Sequence, residues 1–371
     1  MKTVRVLTLL LLFGFACPWA QGNELQDSLA NLAVDLATIL RGMQQDSVVL
    51  SQFTGPPTTA SNADAGIHEI LTRELEKNEI RVSRRAEFGI KGSYALVKDL
   101  EDRHVAKIEA EIINGVGEVQ GGLDRAIKVD VSGTDAIALL FGGTASLSPS
   151  EPELLREKTL FTSIQAPTVQ VKEERVQATP ASLYAVEVWV YPDEVEPGRN
   201  PATYAYKPRK VTNDDGLAVV DLQKGENYAV KLINRSKLDA AVTLTIDGMD
   251  SLGLAKAKPD FWVIPAGKSG MIYGWYKSVT SIETFRVTGY AKSVAKEMNI
   301  KPGKTGVITA AFRAAWPKDQ APPADELAAQ FTARGQGDEA TGRGPEMTQN
   351  FSVIERKAGV IRDVVSIRYD R

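Results

Sequence analysis

Between Gly225 and Tyr290, short runs of alternating apolar and polar residues end at turn-forming groups: Asn234-Arg235-Ser236, Asp247-Gly248 and Pro265-Ala266-Gly267. Such punctuation reads as antiparallel strands joined by tight turns. The stretch carries no nucleophile–base pair, no metal-ligand cluster and no phosphate loop. It therefore points to a β-sandwich that binds or scaffolds.

The pattern extends on both sides. Residues 183–191 (LYAVEVWVY) open it as a strand, with Ala185, Glu187 and Trp189 on one face and Val186, Val188 and Val190 on the other. A loop rich in Pro, Gly and Tyr follows, containing Pro192, Pro197, Gly198 and Pro201. Further strands are expected at 217–222, 228–233, 242–246, 261–264, 270–276, 284–288 and 306–312. From 315 to 344 the composition shifts to Pro, Ala, Gln, Gly and charge, which reads as a mobile excursion with a helical turn at 325–331. Strand patterning resumes at 351–354 and 364–369, and the final strand is expected to return to the sandwich. The predicted sandwich unit thus comprises 181–314 and 345–371, preceded by a charged, Ser/Pro-initiated linker over 148–180.

The N-terminus bounds the compartment. Lys2 and Arg5 precede an apolar run from Val6 to Ala16, followed by Ala20-Gln21-Gly22. This reads as a secretory signal peptide over 1–22, too short to span a bilayer, which needs about 20 apolar residues. The expected location is the periplasm, the cell surface or the extracellular space. Cys17, the sole cysteine, lies inside that signal, so cleavage leaves no thiol for disulfides, metal ligation or catalysis. A lipid anchor at Cys17 is the alternative, weakened because Gly14-Phe15-Ala16 lacks the usual Leu three residues before the cysteine. No later segment is apolar enough for a membrane span. Lys and Arg total 44 against 47 Asp and Glu in 371 residues, a balance that argues against nucleic acid as a partner.

The first half has a different grammar. Over 23–45, Leu25, Leu29, Leu32, Leu36, Ile39 and Leu40 recur at helical spacing. A strand at 48–53, a helix at 66–78 and strands at 80–82, 89–97 and 104–113 follow. Ile108, Ala110 and Ile112 alternate with Lys107, Glu109 and Glu111, so one sheet face is expected to be wet. This predicts an α+β unit over 23–147, helices on a mixed sheet, with 135–147 (DAIALLFGGTASL) supplying a short packed helix.

The strings VVLSQFTGP, IHEILTRELEKNEIRVSRRAEF, GIKGSYALVKD and HVAKIEAEIINGVGEVQ resemble the curli-secretion-channel (CsgG) family. They are similar too to the TolB N-terminal domain and to lipoprotein activators of penicillin-binding proteins. The shared features are a strand ending in Phe, a helix leading into x-V, a G-x-Y strand and a strand ending in G-x-V. The resemblance covers 26–131. It implies an envelope module that assembles with or contacts partners and is not an enzyme. Pore-forming insertions are not visible, so a secretion channel does not follow.

Two catalytic patterns read as chance. Ser293-Val294-Ala295-Lys296 and Lys304-Thr305-Gly306 match S-x-x-K and K-T-G, but the penicillin-binding enzymes keep these far apart with S-D-N between them. Pro302-Gly303-Lys304-Thr305 lacks the first glycine of a phosphate loop, Met298 standing in its place. His68 and His104 have no partner at ligand spacing and read as packing or surface residues. Asp214-Asp215-Gly216 and Asp247-Gly248-Met249-Asp250 could hold calcium through oxygen ligands, and fit hairpin turns better. Asn234 and Asn350 begin formal glycosylation sequons without other support. No cofactor and no metal is expected.

The binding candidates are the aromatics Trp262, Tyr273, Trp275 and Tyr276, which are either core or, if exposed beside Lys277, a docking patch. The expected function is an exported, non-enzymatic envelope protein with a protein, peptide or glycan partner. The alternatives are an envelope-polymer hydrolase using carboxylates such as Asp247 and Asp250, or a subunit that self-assembles into a homo-oligomer through sheet edges.

Overall fold

A computed structural model describes residues 24–55, 63–83, 85–119, 126–253, 259–289, 306–326, 343–352 and 354–369. The signal segment 1–22, the 293–296 motif and most of the 302–306 motifs lie outside these residues. The chain begins with α1 (Glu24–Gly42), β1 (Ser47–Thr54), α2 (Ala63–Lys77), β2 (Arg81–Val82), β3 (Phe88–Lys98), β4 (His104–Asn114), β5 (Ile127–Val131) and α3 (Thr134–Phe141). Next come β6 (Ala145–Ser146), α4 (Glu153–Gln165), β7 (Gln170–Lys172), β8 (Arg175–Gln177), β9 (Tyr184–Tyr191), β10 (Lys207–Pro208), β11 (Val211–Asp214) and β12 (Leu217–Val220). Then follow β13 (Asn227–Asn234), β14 (Asp239–Ile246), β15 (Met249–Asp250), β16 (Trp262–Ile264), β17 (Ser269–Ile272), β18 (Gly274–Ser278) and β19 (Ser281–Arg286). β20 (Val307–Pro317), β21 (Arg343–Thr348) and β22 (Arg356–Arg368) complete the described elements. The result is a β-rich fold with four helices among the described residues and several sheets.

Five strands in the order β2-β1-β3-β4-β5 form the first sheet, with β1 parallel to β2 and β3 and the remaining pairs antiparallel. Leu25, Leu29, Leu32, Leu36 and Leu40 stack along one side of α1 and bury against Ile90, Ala106, Ile108 and Ala110 of the sheet. The opposite sheet face is wet, with ion pairs Lys91–Glu111 and Lys128–Glu109 crossing between strands. Two glycine–aromatic contacts fix the far end of β1. Phe53 lies over Gly92 and Tyr94 over Gly55, where any Cβ would collide with the ring. Asp64, in the first turn of α2, accepts from the Phe53 N–H at 2.7 Å. Burial, reinforced by the Asp64 charge, pushes the Tyr94 hydroxyl up to about 12.

The remaining strands form two sheets packed face to face. Val186, Val188, Val230 and Leu232 of the nine-stranded sheet meet Val242, Leu244, Phe312 and Val365 of the eight-stranded sheet. β20 is buried at every residue from Ile308 to Trp316, which requires cover on both faces. The second cover is helical: Ala311, Ile361 and Val364 belong to the same core as α1–α4. The layers therefore run sheet, helices, sheet, sheet.

An ion cluster fastens the helices to the central strands. Asp135 of α3 accepts from the Ile361 N–H at 3.0 Å and from Arg313 Nε at 3.2 Å. Arg156 of α4 lies 3.6 Å from Asp135 and donates to the Ile361 carbonyl at 2.8 Å and to Glu153 at 2.6 Å. Both arginines are buried.

Three expectations require correction. The segment 148–180 is not a bare linker: it carries α4 and the β7–β8 hairpin, which pairs with β9. Its charges Arg156 and Glu157 are inside the fold rather than on a solvated tether. The segment 315–344 likewise begins in structure. β20 runs to Pro317, and Glu326 is buried, accepting from Arg362 Nη2 at 2.8 Å and the Val360 N–H at 3.2 Å. The rest of that excursion, 327–342, lies outside the described residues. The strand expected at 351–354 is found instead at Arg343–Thr348, antiparallel to β19.

Asp363 of β22 is buried beside β6, where it accepts from Ser146 Oγ at 2.7 Å. Burial raises its carboxyl to about 6, against hydrogen bonds from Ser146 and Ser182. The folded state keeps this proton to about pH 6, whereas the unfolded chain releases it near 3.8. The site's contribution is therefore full below pH 3.8 and lost as pH rises through 6. Asp363→Asn should raise stability relative to the parent by roughly 3 kcal/mol at pH 7.5 and change it little at pH 3.5, measured by urea unfolding. Asp135→Ala should cost about 3–5 kcal/mol in the same assay, because it takes the carboxylate from buried Arg313 and the acceptor from the Ile361 N–H, and leaves Arg156 with Glu153 alone as its acidic partner.

Candidate functional site

The four aromatics singled out from sequence do not form an exposed patch. Trp275 is 1% exposed and meets the Phe285 ring edge-on at 4.8 Å. Tyr276, 3% exposed, points the other way and is covered by Trp262 and Phe351, at 6.1 and 5.3 Å between centroids. Trp262, 9% exposed, donates from its indole nitrogen to Ser251 Oγ at 2.9 Å. All three belong to the sandwich core. Period-two alternation holds along β18, but both of its faces are occupied.

Tyr273 alone is half-buried, and it leads to a different cluster. Its ring lies 5.3 Å from Tyr206, which is 5.7 Å from Tyr191, which is 5.0 Å from Tyr204. Tyr191 sits at the end of β9, on the face that also carries Trp189 and Glu187. Tyr204 and Tyr206 come from the Pro-rich loop, which folds back over that face. A single 3₁₀ turn at Pro201–Thr203, capped by Asn200, reverses the loop, and β10 then pairs with β9. Val195, Ile282 and Met347 form a small separate core beneath the rings. The Tyr204 hydroxyl accepts from the Glu196 N–H at 2.7 Å. The Tyr206 hydroxyl is buried without a hydrogen-bond partner among the described residues, and burial raises its pKa above the usual phenol range.

Cations flank the rings. The Arg199 guanidinium lies 5.1 Å from the Tyr204 centroid, and Lys231 Nζ lies 4.9 Å from that of Trp189. Lys231 also bonds Glu187 at 2.9 Å, and Glu187 accepts from Arg175 and from the Trp189 indole. Burial alone would raise the Glu187 carboxyl, but these three donors outweigh it and hold it below the usual range. The outer face of the nine-stranded sheet thus presents half-buried Trp189, Tyr191, Tyr204 and Tyr273 beside fixed charges. Planar rings with cations and a buried hydroxyl suit stacking and hydrogen bonding to a ligand.

The other sequence candidates resolve into structure. Asp247 and Gly248, at φ 54° and 84°, form the two-residue loop between Ile246 and Met249. Asp215 and Gly216, at φ 48° and 82°, do the same between Asp214 and Leu217. Both are hairpin turns of the primed kind. The Asp247 carboxylate accepts from the Val307 N–H at 3.0 Å and the Tyr369 hydroxyl at 2.7 Å, and Asp250 accepts from the Leu252 N–H at 3.0 Å. His68 is buried with Nε2 3.2 Å from the Leu50 carbonyl, and His104 stacks on Phe161 at 4.0 Å. Among the described residues no three His, Cys, Asp or Glu side chains gather as a metal site. None of the described helices is long and apolar enough to cross a membrane.

Comparison with protein-family models, with curated proteins and with solved structures finds no match.

Trp189, Tyr191, Tyr204 and Tyr206 escaped the sequence reading, although the alternation of β9 and the Tyr-rich loop both pointed to them. Trp275→Ala should cost about 3–5 kcal/mol in urea unfolding, as expected for a buried aromatic. Tyr204→Ala, at a half-exposed ring, should cost about 1 kcal/mol or less.

Proposed function

We propose that this protein is an exported, non-enzymatic cell-envelope module that binds or assembles with a protein, peptide or glycan partner. In this reading residues 23–147 are an α+β unit of the CsgG/TolB-N-like kind, and the all-β region beyond is the binding sandwich. Export rests on the basic, apolar and small-residue sequence of 1–22. Binding rests on one observation above others: the Tyr191, Tyr204, Tyr206 and Tyr273 cluster, partly open and carrying a buried hydroxyl with no partner among the described residues. The binding reading is preferred to the hydrolase alternative because the carboxylates that suggested a hydrolase serve as turn residues. Asp247 and Asp250 accept from backbone N–H groups at turns.

The test is photocrosslinking in intact cells. A photoreactive residue replacing Tyr204 should yield discrete adducts, and one replacing Lys107 on the wet face of the first sheet should not. The same adducts from both positions, or none from Tyr204, would overturn the assignment to this face.

A further inference from the structure

The first sheet ends in an open strand. Its order is β2-β1-β3-β4-β5, so among the described residues β5 has a neighbouring strand on one side only. An edge of N–H and C=O groups is a template for a further strand. Hydrogen bonds around β4 show which β5 groups face outward. The Asn114 N–H donates to the Glu118 carbonyl on the β5 side, and the Asp99 N–H donates to the Arg103 carbonyl on the β3 side. Even-numbered residues of β4 therefore aim their backbone groups at β5, where Ala106, Ile108 and Ala110 are in register with Val131, Val129 and Ile127. The N–H and C=O of Lys128 and Asp130 are left pointing outward. Ser28 of α1 marks that direction: its hydroxyl donates to the Asp130 carbonyl at 3.3 Å, and the carbonyl keeps its second lone pair.

The side chains of this edge complement themselves. Ile127 and Val129 border the helix-covered core, whereas Lys128 and Asp130 are exposed on the wet face. We propose that β5 pairs antiparallel with β5 of a second copy of this chain, about a two-fold axis at Val129. That register sets Lys128 of each copy opposite Asp130 of the other, with their outward backbone groups bonded to each other. On the core side, Val129 meets Val129 and Ile127 lies opposite Val131. Each charge is backed one strand further in, where Glu109 pairs with Lys128 and Lys107 is in register with Asp130. The row across the junction therefore reads Glu109, Lys128, Asp130, Lys107, with the signs alternating.

Neighbouring registers lack this match. A slide of two residues sets lysine against lysine, or aspartate against aspartate, at the axis. A slide of one turns outward backbone groups onto inward ones and charged side chains onto the apolar face. A lysine on an edge ordinarily deters strand addition, but the two-fold supplies each lysine with a carboxylate. The other edge of the sheet is no substitute, because β2 is only two residues long. The pairing is therefore a closed dimer rather than a growing array. Five residues make a small interface, so the dimer forms reversibly. It does not rest on the tyrosine face.

Sedimentation equilibrium of the full chain tests the pairing, with a reversible monomer–dimer equilibrium as the expected result. Lys128→Asp and Asp130→Lys should each weaken dimerisation about tenfold or more, because either change sets like charges across both junction pairs. An equimolar mixture of the two variants should dimerise again, since one chain then brings two carboxylates and the other two ammonium groups. The chain carrying both substitutions should dimerise like the parent, which keeps the test decisive if a single variant folds poorly. A parent that is monomeric at every concentration, or single variants that dimerise as the parent does, would overturn the inference. So would a mixture, or a doubly substituted chain, that stays monomeric.

Discussion

Asp135 is the point on which the layers depend. Its carboxylate bonds to residues 178 and 226 positions away in sequence, one on each of the two central strands, and lies against Arg156 of α4. Charges this deep tolerate little displacement, since each of them loses water on folding and regains it only through its partners. A slide of α3 by a fraction of a hydrogen-bond length would part Asp135 from the Arg313 guanidinium and from the Ile361 N–H at once. The cluster therefore sets the position of the helical layer over the sheet. It also sets the Gly142-Gly143 turn that follows α3. Packing of Leu160 and Ile164 then adds area to an arrangement that the charges have already specified.

Two buried carboxylates show how local donors decide the outcome of burial. Glu187 is nearly inaccessible, yet three donors hold it charged on the outer side of β9. Asp363 is also buried, but its side-chain donors among the described residues are the Ser146 and Ser182 hydroxyls, and its proton is retained to higher pH. One carboxylate belongs to an ion network that orders a surface, and the other keeps its proton up to about pH 6 and above that carries a poorly compensated charge inside. Nothing in the sequence around either residue distinguishes them.

Much of the fold was legible because its signals are local. The leucine stripe of α1 needs only helical spacing, and the inward valines of β9 need only alternation. The Asp247-Gly248 and Asp215-Gly216 turns need only residues that accept positive φ. What was missed depended on distant segments. Alternation says that Trp275 and Tyr276 point oppositely, but not that Phe351 and Trp262 arrive to cover the second side. Charge in 148–180 suggested solvent because Asp135, which receives Arg156, lies outside that window. The tyrosine cluster was half readable: alternation puts Trp189 and Tyr191 on one face of β9, but the rings meet only after the Pro-rich loop doubles back.

The placement of β22 has a consequence for how the chain reaches this state. It pairs with β20, β12 and β6 and supplies the Ile361 backbone on which the helical cluster closes. Until synthesis has passed residue 368, the eight-stranded sheet has a gap at its centre and α3 and α4 lack their anchor. Contacts spanning more than two hundred residues must then form together, which makes for late and cooperative consolidation. A nascent chain of this topology stays open until β22 has been made. The central strand thus acts as a timer as well as a brace.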